Sequence, residues 1–103
     1  MEAVLDRLIV SEPGYRGGRP RIAGTRITVA DVAIWHLRWG MTPVEIAGHY
    51  DLSLGSVHAA LAYYFENREA IDARIAADEA FVAEYIAAHP DTLLSRIRQS
   101  TSE

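Results

Sequence analysis

Thr42-Pro43-Val44-Glu45-Ile46-Ala47 opens one helix and Ser53-Leu54-Gly55-Ser56-Val57 opens the next, with room for only a few residues between them. Thr42 caps the first, Pro43 takes the first helical position where its missing N–H costs nothing, and Glu45 can reach back to the cap. Short helix, tight turn, longer helix is the layout of a helix-turn-helix unit, whose second helix lies against DNA or against a partner. Ile46, Ala47 and Val57 stand where such a unit wants an aliphatic, a small and a β-branched residue. The turn position usually held by glycine is Asp51, which enters the left-handed conformation less readily.

The flanking pattern predicts a mainly α chain. Leu8-Ile9-Val10 reads as a short strand ended by Ser11-Glu12-Pro13-Gly14, and Arg21 to Ile27 as a second extended piece kinked at Gly24. Two strands alone are marginal in water, so this β-arm must lie on helices or pair with a second chain. A first helix should start after Thr28, with Asp31 completing the capping pattern, and stop at Gly40. The third should bury Val57, Leu61 and Tyr64 and break near Asn67. A fourth, Arg68 to Ala88, carries two apolar stripes, one with Ile71, Ile75, Val82 and Ile86, the other with Ala70, Ala73, Ala77, Phe81 and Tyr85. So much apolar helix surface exceeds what one small core absorbs. Residues 1–67 are therefore expected to form a β-arm plus helix-turn-helix domain, and residues 68–103 a C-terminal helical extension for dimer or partner contacts. A short helix capped by Asp91 is expected near the end, with Arg96 and Arg98 able to enter an acidic pocket of another protein.

Charge is divided along the chain. Residues 1–40 hold six arginines against four acidic residues, whereas residues 41–103 hold four arginines against ten acids. A basic front and an acidic rear suit a protein with nucleic acid at one end and a different partner at the other. All ten basic residues are arginine, the residue that grips phosphate and carboxylate bidentately. The candidate DNA contacts are Arg16, Arg19, Arg21 and Arg26 in the arm, with Ser53, Ser56 and His58 on the second helix of the unit. Gly17-Gly18 could add an anion-binding concavity of backbone N–H groups. The outward face of that helix is expected to carry Gly55, Ser56, His58, Ala59 and Ala62, none of which reads base edges as Arg, Asn or Gln does. Candidate partner contacts are Ile71, Ile75, Phe81, Val82 and Tyr85, with Arg96 and Arg98.

Other chemistries find little support. The absence of cysteine rules out disulfides and thiolate metal sites and fits the cytoplasm. His36, His49, His58 and His89 make no metal-binding pair, and no nucleophile elbow occurs, so neither a metal site nor an enzyme is expected. No apolar run approaches a membrane span, and the N-terminus lacks the basic region of a signal peptide.

The run Gly17-Gly18-Arg19-Pro20-Arg21-Ile22-Ala23-Gly24-Thr25-Arg26-Ile27-Thr28-Val29, followed by Ile34, Gly40, Met41-Thr42-Pro43-Val44-Glu45-Ile46, Tyr50, Leu52-Ser53, Val57 and Ala60-Leu61-Ala62-Tyr63-Tyr64, closely resembles a bacterial and archaeal family. That family is filed as "domain of unknown function 433" and described as VapB-type antitoxin-like. The resemblance implies a homeodomain-like helix-turn-helix with an N-terminal β-arm, in a homodimer. It also implies an antitoxin role beside a PIN-like ribonuclease toxin, with autoregulation through operator DNA and no cofactor. The competing expectation is a dimeric adaptor that never touches DNA.

Overall fold

The computed structural model describes residues 5–89. Over these the protein is mainly helical, with one short two-stranded sheet towards the N-terminus. A single helical turn, α1 (Leu5–Leu8), runs into β1 (Ile9–Val10), and a 3-10 turn (Arg16–Gly18) precedes β2 (Arg21–Ile22). Four helices follow: α2 (Val29–Leu37), α3 (Pro43–Tyr50), α4 (Leu54–Glu66) and α5 (Arg68–Ala88). The chain divides into two compact units between Ile71 and Asp72.

The arm is shorter than its sequence suggested. The strands are antiparallel, with Ile9 opposite Ile22 and Val10 opposite Arg21, and Leu8 belongs to the preceding turn. After Ile22 the chain folds back instead of staying extended. The Thr25 hydroxyl donates to the Ile22 carbonyl at 2.8 Å and accepts from the Ile27 N–H at 3.1 Å. Gly24 sits at φ 76°, a left-handed turn that a side chain resists. Ile9 and Ile22 are buried, and both strands pack on α4.

Helices α2, α3 and α4 each start at the cap the sequence specified. Thr28 and Asp31 exchange hydrogen bonds of 3.0 and 3.1 Å at the head of α2, and Thr42 and Glu45 exchange bonds of 2.9 and 3.1 Å at the head of α3. Two otherwise orphaned donors are satisfied in each box. The Thr42 N–H, and after it the Thr42 hydroxyl, hold the Glu45 carboxyl below its ordinary value. A lowered folded-state value means that this bond supports α3 above the ordinary carboxylate range and fades as pH falls through the lowered one. Ser53 caps α4 alone, accepting from the Ser56 N–H at 3.1 Å.

Asp51 closes α3 in the left-handed conformation, φ 55° and ψ 50°. It is the single non-glycine residue with positive φ among the described residues. Asp51→Gly should therefore stabilise the fold. Relief of roughly 1 kcal/mol of left-handed cost, less the extra chain entropy of glycine, leaves a gain of about 0.5 kcal/mol. A higher urea midpoint with unchanged slope is the expected reading, and a lower midpoint would contradict the account.

α4 is the hub of the first unit, packing against α1, α2, α3 and both strands. Ile46, Val29, Val32 and Val57 are the largest wholly buried side chains among the described residues. Val57, Leu61 and Tyr64 are buried as expected, and so are Ala59 and Ser56, which the sequence placed on the outward face. Covered by strands as well as helices, α4 buries more of its circumference than one stripe. Trp35 of α2 stacks on Tyr50 of α3 with ring centroids 3.8 Å apart, and His49 meets Tyr50 edge-on at 4.7 Å. This stack joins the two helices outside the aliphatic core.

Candidate nucleic-acid interface

The arm was expected to offer four arginines to phosphate, and the structure separates them. The loop after β1 is built by backbone bonds: the Tyr15 N–H donates to the Glu12 carbonyl at 2.9 Å, and the Gly18 N–H to the Tyr15 carbonyl at 3.0 Å. The Ser11 hydroxyl donates to the Gly18 carbonyl. Gly17 and Gly18 take φ of 68° and 75°, so they serve the turn. The Gly18 N–H, one of the two donors expected to form an anion-binding concavity, is engaged there instead, and Gly17 also has a partner.

Arg21 is a structural residue. Its side chain is only 11% exposed, and its guanidinium pairs with the Glu12 carboxylate, lies 4.4 Å from the centre of the Tyr15 ring and donates to the Thr25 carbonyl at 3.3 Å. Its Nε is buried without a hydrogen-bond partner. Three segments of the arm converge on one cation, so Arg21 is corrected from a DNA contact to the clamp of the arm. Arg19 is half-buried and engaged within the chain, whereas Arg26 is exposed at the end of the Gly24-Thr25 turn. Arg16 begins the 3-10 turn, and its side chain, a candidate DNA contact, lies outside the described part of the structure.

At the head of α4 the two serines serve each other. Ser53 accepts from the Ser56 N–H, and the Ser56 hydroxyl donates back to the Ser53 carbonyl at 2.8 Å. Ser56 is 4% exposed, which removes it from the candidate contacts. Ser53 and His58 remain exposed. Gly55, His58 and Ala62 are exposed as expected, and Leu54 and Phe65 stand out beside them. No Arg, Lys, Asn or Gln occurs anywhere on α4. Such a face can touch phosphate or another protein but does not read bases.

The candidate partner contacts divide in a similar way. Ile71 and Ile75 are buried at 8% and 6% exposure within the chain, so they are corrected to core residues. Phe81, Val82 and Tyr85 are exposed at 68%, 46% and 44%. Arg96 and Arg98 lie outside the described residues. Among the described residues no three His, Asp or Glu side chains gather as a metal site would require, and no helix is long and apolar enough to cross a membrane.

Sequence reasoning missed Glu12 and Tyr15 as the partners that disarm Arg21. The signal was present in the arm itself, one acid and one aromatic upstream of the arginines, but it becomes a contact only once the chain reverses.

Comparison with known proteins bears on this site. The family model described as "Protein of unknown function (DUF433)" matches residues 9–64, from β1 to the last turn of α4. A crystal structure of a DUF433 member protein from Anabaena variabilis ATCC 29413 is similar at a TM-score of 0.62 and 36% identity, covering 70% of this chain and 71% of that one. No curated protein matches the chain. The match takes in the whole clamp-and-turn arm together with the helix-turn-helix, and on it this chain belongs to the DUF433 family.

Proposed function

We propose that this chain is an antitoxin-type regulator, a cytoplasmic homodimer that neutralises a PIN-like ribonuclease by direct binding and represses its own operon through weak contacts to DNA. The observation that carries the reading is the large apolar side chains left exposed beside the helix-turn-helix. Leu37 at 49%, Trp39 at 65% and Val44 at 67% cluster along the chain around the α2–α3 turn, and Leu54 and Phe65 project from α4 at 44% and 53%. Exposed aromatic and aliphatic side chains of this kind support binding to another protein. The basic front and acidic rear of the sequence support two unlike partners.

DNA contact in this reading rests on Arg26, Ser53 and His58, a set suited to phosphates. Arg26→Ala should weaken operator binding about equally across sequences and flatten the salt dependence of log K by roughly one. The fold should be unaffected, since Arg26 is exposed. Titration of labelled promoter DNA at several salt concentrations measures both quantities.

Co-expression with the product of the adjacent gene tests the central reading. A stable complex should form and the growth arrest caused by that product should be relieved, with Trp39→Ala plus Val44→Ala losing at least about tenfold in affinity. Ribonuclease activity untouched by an excess of the chain would overturn it. The alternative, a dimeric adaptor without DNA contact, is favoured by the α4 face that lacks base-reading side chains. Failure to shift promoter DNA at low salt, even with the partner present, decides for the adaptor.

A further inference from the structure

Helix α5 presents a face that is small at both ends and larger between them. Residues Ala70, Arg74, Ala77, Phe81, Glu84 and Ala88 recur at alternating steps of four and three, the seam spacing of a two-stranded coiled coil. All six are exposed, Phe81 at 68%. Ile71 and Ile75, buried within the chain, lie on a different side of the helix. Along the edge of the seam Ala73, Ala80 and Ala87 carry only methyl groups, which lets a second helix axis approach closely.

We propose that this seam pairs with the same seam of a second copy, antiparallel, with the two-fold axis passing between the helices at the level of Glu79, which itself lies on the far side of α5. In that register every seam residue meets the position equally far beyond Glu79 on its mate. Phe81 falls on the partner's Ala77, Ala88 on the partner's Ala70, and Arg74 on the partner's Glu84. Bulk thus meets space and cation meets carboxylate in one register. A parallel pairing would set Phe81 on Phe81, Arg74 on Arg74 and Glu84 on Glu84, with like charges opposed, two rings crowded into one layer and an added gap at Ala77. Charge complementarity therefore selects a second copy in one direction. Arg74 is also engaged within its own chain, and its fork of five donors serves both partners. A polar layer inside an apolar seam chiefly fixes register, as a lone polar core residue does in other coiled coils.

The ring of Tyr85 flanks the seam already ordered. It stacks on His89 at 4.1 Å, and His89 Nδ1 is 2.9 Å from the Tyr85 carbonyl. Part of the ordering cost of closing the seam is therefore met before the second copy arrives.

The inference rests on the homodimer of the proposed function and on nothing else in that reading. Sedimentation equilibrium of the full chain tests it, with helical content followed by circular dichroism. The wild type should be a dimer. Phe81→Ala and, separately, Arg74→Glu should each raise the dimer dissociation constant about tenfold or more while helicity is kept. The exchange Arg74→Glu with Glu84→Arg should restore it to within about threefold of wild type, because each new glutamate again meets an arginine of the mate. A monomeric wild type would overturn both the homodimer and the seam. A dimer indifferent to Phe81→Ala, or an exchange that fails to restore association, would overturn the seam and leave the homodimer standing on another surface.

Discussion

Ile46→Ala is expected to remove about 2–5 kcal/mol of stability, enough to unfold much of the population of a small domain. Ile46 is 0% exposed in α3 and is the largest wholly buried side chain among the described residues. Truncation there loses the transfer energy of three carbons and leaves a cavity that α2, α3 and α4 can close only by shifting against one another. Urea denaturation should show a lower midpoint with an unchanged slope. Ile46→Val, which removes one methylene, should cost about 0.5–1.5 kcal/mol by the same logic. A loss below 1 kcal/mol for the alanine variant would mean that the packing of α3 on its neighbours is not what holds the first unit together.

Arg21→Ala should be the most damaging change among the arginines of the arm, at about 1–3 kcal/mol. The cation over the Tyr15 ring contributes roughly 0.5–1 kcal/mol. The bond to the Thr25 carbonyl adds about 1 kcal/mol. The pair with Glu12 adds less, since the Glu12 side chain is 60% exposed and its charge is screened. Arg21→Met separates these contributions from packing. Methionine keeps the apolar stem and removes the buried Nε that lacks a partner, so the loss should shrink to about 1 kcal/mol or less. The same variant should leave the salt dependence of any operator binding unchanged, whereas Arg26→Ala reduces it. An equal effect of both on that slope would return Arg21 to the nucleic-acid surface.

The parts of this protein that were legible in its sequence are the parts decided locally. Thr28 with Asp31, Thr42 with Glu45, and Ser53 each set a helix start through bonds spanning three residues. Asp51 took the left-handed position its place in the turn required, and α5 runs from Arg68 to Ala88 as its alanine-rich pattern indicated. What was not legible depends on chain reversal. Arg21 finds Glu12 and Tyr15 only after the hairpin closes, and Ser56 and Ala59 are hidden because α4 is covered from more than one direction. The family signature reads differently in that light. Ile22 is core, Gly24 and Thr25 make the turn, and among the arginines of that run Arg26 is the one left exposed. Most of the motif therefore specifies the shape of the arm, and its contribution to contact is narrow.

The junction of arm and helix has a kinetic corollary. Thr28 bridges to Arg21 across the arm while capping α2, and the Val29 N–H, a donor that a free helix start would leave to water, donates to the Pro20 carbonyl at 2.9 Å. Local opening of the hairpin thus strips α2 of a hydrogen bond in its first turn, and fraying of α2 releases the hairpin. Amide protons on both sides of the junction share one breathing event, so solvent reaches them together.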